Sequence, residues 1–262
     1  MSSKAAKEAA KDGSAVVLPV ELPAAKTTGD APAVEVTVPK SAGSVKVEIS
    51  VEKVTPGTVA VIVHADGIEE IVKTSIPTGD GIRLTVDGDV TVKIVDNAKD
   101  FTDTQSHWAE ASIDFATSHE LFSGTSATTF TPDRSMTRAM LMTVLARFDG
   151  KDTTGASAWY EKAMAWAKAN GISDGSTPNG NITREQLAAM LWRYAGSPAG
   201  DGALSSFQDR ARVSGYAVEA MRWAVGEGLI SGTDAGMLAP QSNATRAQVA
   251  TILKRFVESL SK

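Results

Sequence analysis

Three copies of one twelve-residue pattern constrain this chain more than any other feature. Each copy opens with a Thr-Arg pair: TRAMLMTVLARF from Thr137, TREQLAAMLWRY from Thr183 and TRAQVATILKRF from Thr245. Apolar residues follow four, seven, eight and eleven places after each threonine. This spacing is that of the buried stripe of an amphipathic helix. A threefold internal repeat predicts an architecture built from repeats that pack on one another.

Each copy also contains an earlier helical segment and a glycine-containing loop. An aromatic residue marks the start of each copy: Trp108, Trp159 and Tyr216. Glycines stand at equivalent places in the three loops: Gly124, Gly175 and Gly232. Glycine suits positions that need a positive φ or a close approach of the backbone. Each copy is therefore predicted to form a helical hairpin, and three hairpins can bury their apolar faces together as a compact pseudo-threefold bundle.

The first hundred residues have a different pattern. Residues 2–12 predict a short helix that ends at Gly13. Between Val16 and Val95 there are seven Val- and Ile-rich runs, several of which alternate with polar residues. Such runs, separated by turn signals, predict an antiparallel β-sandwich or barrel. The Asp-Gly pairs at 66–67 and 87–88 suggest hairpin turns.

The strand pattern stops at Phe101, and this change predicts two domains with an α+β fold class overall. We expect a β-rich, sandwich-like domain with a short N-terminal helix over residues 1–100 and an all-helical domain over residues 101–262. The helical repeats are expected at about 101–150, 151–197 and 205–258.

Composition excludes several classes of function. The chain of 262 residues has a net charge of −5 without a block of like charge, so nucleic acid is not an expected partner. No apolar run approaches the roughly 18–20 residues that span a bilayer, so we expect no membrane insertion. The absence of cysteine excludes disulfides and thiol chemistry. The first thirty residues show no secretory signal, which leads us to expect a piece of a longer protein.

The Thr-Arg pair has two separable roles. Thr183 and Thr245 are followed three residues later by Gln186 and Gln248, as in a capping box, whereas the first copy has Met140 there. The arginine occupies the first helical position, where the helix dipole disfavours a cation. Its recurrence indicates either an anionic ligand held at the helix N-terminus or a carboxylate of a neighbouring repeat. The residues alone leave these two alternatives open.

The copies resemble S-layer homology (SLH) repeats, whose pattern runs from Phe-x-Asp through a Trp and a Gly-Ile/Leu-Ile-x-Gly loop to Thr-Arg-Ala-Glu. The first copy supplies Phe101, Asp103, Trp108, Gly124, Phe130, Pro132 and Thr137-Arg138-Ala139. The third supplies Phe207, Asp209, the GLISG loop that begins at Gly228, Pro240 and Thr245-Arg246-Ala247. The middle copy has GISDG from Gly171 and Thr183-Arg184, but it lacks the Phe-x-Asp opening.

This resemblance implies a pseudo-trimeric module that binds secondary cell-wall polysaccharide, often with pyruvate ketals, in grooves between repeats. Three arginines would face the ketal carboxylate: Arg138, Arg184 and Arg246. Three rings would contact sugars: Trp108, Trp159 and Tyr216. Three glycines would let the ligand approach the backbone: Gly124, Gly175 and Gly232. Asp103 and Asp209 would bind sugar hydroxyls. Since the middle copy departs most from the pattern, we expect unequal grooves, with the second the weakest.

We therefore expect a non-catalytic, extracellular anchoring protein of the bacterial cell wall or S-layer, without a cofactor or a metal. One alternative is a surface-layer assembly protein that self-associates laterally through the β-rich domain. Another is the anchoring part of an exported polysaccharide-processing enzyme. The histidines His64, His107 and His119 lack the spacing of a metal site or a catalytic base, and structural roles are expected for them.

Overall fold

The computed structural model describes Glu8, Ala9, Lys11 and residues 13–260. The helix predicted for residues 2–12 therefore lies largely outside the described residues, although Glu8, Ala9 and Lys11 are helical. The chain forms two compact units. One comprises the chain up to Thr129 together with the segment from Val257 onwards, and the other is Phe130–Phe256.

Eight strands lie in the described part of the first unit. They are β1 (Ala15–Leu22), β2 (Val34–Val36), β3 (Ser44–Val51), β4 (Thr58–Val63), β5 (Glu69–Ile71), β6 (Ile76–Pro77), β7 (Gly81–Asp87) and β8 (Val90–Asp96). They form two four-stranded sheets with the strand orders β1-β3-β7-β6 and β2-β8-β4-β5. The β-rich character predicted before residue 100 is confirmed.

Three details of the strand prediction need correction. Strand β1 pairs with β3 in parallel, so the first sheet is mixed rather than antiparallel. One of the seven runs predicted as strands, EEIVKTSI over residues 69–76, is divided into β5 and β6, which belong to different sheets. Asp66-Gly67 does form the turn of the β4–β5 hairpin, but Asp87-Gly88 does not form one, because β7 and β8 lie in different sheets.

One hydrophobic core takes residues from both sheets. Alternate residues of β3 are buried, as the polar and apolar alternation of that strand requires: Val45, Val47, Ile49 and Val51. They belong to the same buried cluster as Ile82 and Leu84 of β7 and Ile94 of β8. Full burial of such a side chain stabilises the fold by about 1.5–3 kcal/mol.

Six α-helices follow the strands. They are α1 (Glu110–Ser118), α2 (Arg138–Phe148), α3 (Glu161–Ala169), α4 (Arg184–Tyr194), α5 (Val218–Gly226) and α6 (Arg246–Ser259). Each Thr-Arg pattern is thus the start of a helix, as predicted. Three short 3-10 turns precede α5, the last of them at Gly215–Ala217. Helix α1 lies in the first compact unit, whereas α2 to α5 lie in the second.

The predicted threonine caps are present. The Thr183 hydroxyl accepts a hydrogen bond from the Gln186 backbone N–H, and the Gln186 side chain accepts one from the Thr183 N–H, which completes a capping box. Thr245 and Gln248 make the same pair of bonds. Thr137 accepts only from the Met140 N–H, the half-box expected from its sequence. Such a cap is worth about 1 kcal/mol.

A closed ring of backbone hydrogen bonds joins the residues that precede the three threonines. The N–H of Met136 donates to Ala244 O at 2.9 Å, that of Ala244 to Ile182 O at 2.9 Å, and that of Ile182 to Met136 O at 2.8 Å. One aromatic residue stands eleven places after each threonine, and the three rings contact one another. Their ring centroids are 5.8 Å (Phe148–Tyr194), 6.2 Å (Phe148–Phe256) and 6.1 Å (Tyr194–Phe256) apart. The three helices that begin with a Thr-Arg pair, α2, α4 and α6, are therefore joined to one another in a closed ring of contacts.

Candidate functional site

The first backbone N–H groups of the three helices that begin with a Thr-Arg pair are already hydrogen-bonded to other parts of the protein. At α2, the backbone N–H of Arg138 donates to Gly180 O at 3.0 Å, and that of Ala139 donates to Pro178 O at 2.8 Å. The corresponding donors of α4 and α6 bond loop carbonyls in the same way. The helix N-termini thus contact the loop of another repeat, and these N–H groups are not free to bind an anion. Any anion in this region must be held by side chains.

The three repeated arginines share one contact. Each Nε donates to a loop carbonyl of a different repeat: Arg138 to Ser176 O at 3.0 Å, Arg184 to Leu238 O at 2.8 Å and Arg246 to Phe130 O at 2.8 Å. The Arg246 guanidinium also lies 4.3 Å from the centroid of the Phe130 ring, within cation–π distance. Every repeated arginine therefore joins two repeats through a main-chain carbonyl, a contact that the sequence did not predict.

The terminal guanidinium nitrogens of Arg138 and Arg184 differ in their contacts. Nη2 of Arg138 donates to the Asp174 carboxylate at 2.8 Å and to the Ser173 hydroxyl at 3.2 Å. Arg184 is 7% exposed and, among the described residues, forms no ion pair. Burial lowers the pKa of Arg184, and the charge of nearby Asp209 offsets this in part. The neighbouring-carboxylate alternative therefore holds for Arg138, whereas Arg184 has no bonded carboxylate in the described part of the chain.

A groove of about 360 Å³ lies beside Arg138. Its lining comes from all three repeats: Arg138, Asp174, Ser176, Thr177, Gln186, Ala189, Met190, Arg193 and Tyr216. Two residues predicted for the site, Arg138 and Tyr216, thus meet in one groove. The Tyr216 hydroxyl donates to the Glu185 carboxylate at 3.3 Å, and the residue is 53% exposed. Burial and the Glu185 charge raise the pKa of Tyr216, so the phenol stays protonated.

Sequence reasoning missed two groups near this groove. Arg193 lies ten places after Thr183, and arginines recur at the same offset as Arg147 and Arg255. Arg193 Nη1 donates to Ile172 O at 3.3 Å, and Arg255 makes the matching bond to Leu229 O at 3.2 Å. Alignment of the copies could have revealed this second arginine.

The other missed group is Glu185, which is 4% exposed. Its carboxylate accepts hydrogen bonds from the Ser214 N–H at 2.9 Å and the Ser214 hydroxyl at 2.7 Å, as well as from Tyr216. It therefore positions the Tyr216 ring. Its identity as a groove residue had no sequence signal, because the other copies have alanine at that position.

The repeated aromatic residues divide into exposed and buried sets. Trp108 and Trp159 are 65% and 52% exposed, so their indoles, like the Tyr216 ring, are accessible at the surface. Phe115 is fully buried and Trp223 is 5% exposed, so these two rings belong to the core. Exposed rings at one position in three repeats are the kind of apolar surface that sugars stack on.

Packing requires the loop glycine in the first and third repeats. A Cβ at Gly124 would lie 2.6 Å from the Phe101 ring, and one at Gly232 would lie 2.7 Å from the Phe207 ring. Gly232 also has a φ of +85°. Gly175 in the middle repeat, which lacks this phenylalanine, lies against Lys168 instead. These contacts explain the repeated glycine, and its role in ligand approach stays a prediction.

The Asp209 carboxylate organises its own loop. It is 6% exposed and accepts hydrogen bonds from the N–H groups of Leu238 and Ala239, both at 2.8 Å. The peptide that it holds carries the Leu238 carbonyl to which Arg184 donates. Asp103 is half-buried. Contacts of either aspartate with sugar hydroxyls remain a prediction.

Comparison with known families identifies the repeats. Residues 100–139, 151–188 and 206–250 each match the S-layer homology domain. The chain thus carries three S-layer homology repeats, which are cell-surface anchoring modules.

Three relatives illustrate where such repeats occur. The chain is 29% identical over 180 residues to an amylopullulanase of Thermoanaerobacterium thermosulfurigenes. The matched region covers 61% of this chain and 10% of that protein. It is 32% identical over 178 residues to an endoglucanase of Bacillus sp. (strain KSM-635), covering 62% of this chain and 19% of the enzyme. It is 30% identical over 147 residues to the surface-layer 125 kDa protein of Lysinibacillus sphaericus, covering 50% of this chain and 12% of that protein.

These comparisons indicate an extracellular location at the bacterial cell surface. The chain spans only 10% to 19% of the length of these relatives. Their names therefore describe proteins most of whose sequence lies outside the matched region. Within the described residues, no helix is long and apolar enough to cross a membrane. The same residues contain no group of three or more His, Asp or Glu side chains that could hold a metal ion.

Proposed function

We propose that the helical repeats form a pseudo-threefold bundle that anchors a protein to the cell wall by binding an anionic, pyruvylated secondary cell-wall polysaccharide. The closed hydrogen-bond ring at Met136, Ile182 and Ala244 supports this bundle. The common core of the two sheets supports a sandwich arrangement for the N-terminal part. The module has a binding role and no catalytic role.

The observation that carries the proposal is the Arg184 guanidinium. It is 93% buried, and among the described residues only its Nε has a hydrogen-bond partner. A buried cation without a bonded carboxylate is costly, and an anionic ligand offsets that cost. Its terminal nitrogens have no hydrogen-bond partner among the described residues, and an anionic ligand would supply one. A ketal carboxylate has the planar geometry that a guanidinium binds with two parallel hydrogen bonds.

The proposed site residues act together in grooves between repeats. The exposed rings of Trp108, Trp159 and Tyr216 would pack against sugar faces, and Arg138, Arg184 and Arg246 would supply positive charge. Gly124, Gly175 and Gly232 would keep the adjacent loops close to the ligand. Several grooves on one polymer would strengthen attachment, because each further contact is intramolecular.

Two broader settings fit this anchoring role. The similarity to an amylopullulanase and an endoglucanase suggests the anchoring part of an exported polysaccharide-processing enzyme. The similarity to a surface-layer protein suggests an S-layer component whose strand-rich part makes lateral contacts. Ordered self-association of the purified chain would favour the second setting, and a monomer at all concentrations would favour the first.

The test is co-sedimentation with purified cell-wall sacculi before and after extraction of the secondary polymer. We expect binding to intact sacculi that is lost after extraction. Arg184→Ala should weaken binding, whereas Arg222→Ala, which removes the same charge from an exposed site on α5, should not. Far-UV circular dichroism must show both variants folded. Equal binding to intact and extracted sacculi, or equal binding by both folded variants, would refute the proposal.

A further inference from the structure

The loop that faces Arg138 carries a carboxylate at a position where the other two repeats have serine. The residue before the loop glycine is Asp174 in the middle repeat, but it is Ser123 in the first and Ser231 in the third. All three side chains belong to exposed residues. The sequence difference therefore falls at a position that faces solvent and adjoins one of the three repeated arginines.

Asp174 is held firmly beside Arg138. Its Oδ1 accepts hydrogen bonds from Arg138 Nη2 at 2.8 Å, from the Ser176 N–H at 2.9 Å and from the Ser176 hydroxyl at 2.8 Å. The bonds from Ser176 hold the pKa of Asp174 below its usual range, so the carboxylate stays ionised. A fixed negative charge thus occupies the place that an acidic ligand would take on this guanidinium.

The charges around the groove balance. Two positive side chains, Arg138 and Arg193, line the groove. Of the two negative side chains, Asp174 lines the groove and Glu185 accepts a hydrogen bond from its lining residue Tyr216. Their formal charges cancel. An ion pair beside an exposed aromatic ring suits sugar hydroxyls, which donate to the carboxylate and accept from the guanidinium. A ligand carboxylate would instead meet the like charge of Asp174.

We propose that the Arg138 groove binds an uncharged sugar unit and that Asp174 sets this specificity. The acidic unit then goes to Arg184, where the equivalent loop position is Ser231. This inference rests on the proposed function and assigns different chemistry to two grooves of one polymer-binding module.

The experiment is an NMR titration of wild-type protein, Asp174→Ser and Asp174→Asn. The probes are methyl β-D-glucopyranoside and the same glycoside carrying a 4,6-pyruvate ketal. The Arg138 Nε–H and Tyr216 ring signals report on this groove alone. Serine stands at this position in the other two repeats, so Asp174→Ser should fold, and Asp174→Asn removes only the charge.

We expect the wild-type groove to prefer the neutral glycoside. Both variants should raise the ratio of acidic to neutral affinity by about tenfold or more, which corresponds to about 1.4 kcal/mol. The reciprocal control Ser231→Asp should weaken binding of the acidic probe at the Arg184 Nε–H. An unchanged ratio in folded variants, or no binding of either probe to this groove in any of the three proteins, would overturn the inference.

The outcomes separate this inference from the proposed function. If the ratio of acidic to neutral affinity changes in the variants but wild-type protein does not bind intact sacculi, anchoring is refuted and the role of Asp174 is supported. Sacculus binding with an unchanged ratio would refute only the role of Asp174.

Discussion

Replacement of Asp209 by alanine should destabilise the helical unit strongly, because this carboxylate organises a loop between repeats. The substitution removes two hydrogen bonds of 2.8 Å, from Leu238 N–H and Ala239 N–H, at a residue that is 6% exposed. Hydrogen bonds to a charged group contribute about 1.5–3 kcal/mol each. The change also removes a charge that partly compensates the buried Arg184 guanidinium. Water that enters the vacated space recovers part of this, so we expect a loss of about 3–5 kcal/mol in the free energy of unfolding.

Urea unfolding followed by far-UV circular dichroism at 222 nm measures this loss, since the helices dominate that signal. Asp209→Asn is the matched control, because the amide oxygen can still accept one of the two N–H groups. It should lose about 2 kcal/mol. A change below about 1 kcal/mol for Asp209→Ala would show that the loop does not depend on this carboxylate and would refute the reasoning.

Three further predictions concern stability. Burial lowers the pKa of His119 from 6.5 to about 4, so the neutral ring's own contribution to stability is fully present above pH 6.5, and about 3 kcal/mol of it should be lost as the pH falls to 4. Urea titrations of wild type and His119→Gln across this range should show the difference between the two proteins change by about that amount. Gly232→Ala should cost about 2–4 kcal/mol, because its φ of +85° and the Phe207 contact exclude a Cβ, and a melting temperature equal to wild type would contradict this. Thr183→Ala should cost about 1 kcal/mol in thermal unfolding by loss of the cap, with Thr154→Ala on the exposed loop as the neutral control.

The repeat pattern was sufficient to predict the helices and their caps. Apolar spacing and the Thr-x-x-Gln signature are local features, and α4 begins at Arg184 with the predicted capping box. The exposed rings could also be inferred, because an aromatic residue outside the apolar stripe recurs in every copy. The helical part was predictable to this extent because each signal lies within one repeat.

The contacts between repeats could not be predicted in this way. The partner of Arg138 is Asp174 of the next repeat, and nothing local indicates which loop a helix N-terminus will meet. The carboxylate of Asp209 bonds main-chain N–H groups 29 and 30 residues away, which makes it look like a ligand-binding group until the loop is seen. Likewise, Asp87-Gly88 has the composition of a hairpin turn, yet the chain crosses there from one sheet to the other.

The histidines show how burial decides a role. His119 is fully buried and stacks on Phe115 with ring centroids 4.0 Å apart. Its Nδ1 lies 2.7 Å from Phe115 O, and its Nε2 lies 2.9 Å from Ser75 O and 3.2 Å from the Ser75 hydroxyl. Each ring nitrogen can donate to a carbonyl only when it is protonated, so these two bonds favour the charged ring while burial lowers its pKa. The structural role expected for this histidine follows from these bonds.

The most direct measurement is the binding of the intact chain to sacculi before and after mild acid removes the ketal groups while the polymer stays attached. If guanidinium groups between the repeats recognise the acidic decoration, the affinity should fall at least tenfold, which corresponds to about 1.4 kcal/mol, when the ketals are gone. Undiminished binding to the stripped polymer would contradict recognition of the acid and would leave the arginines as connections between repeats.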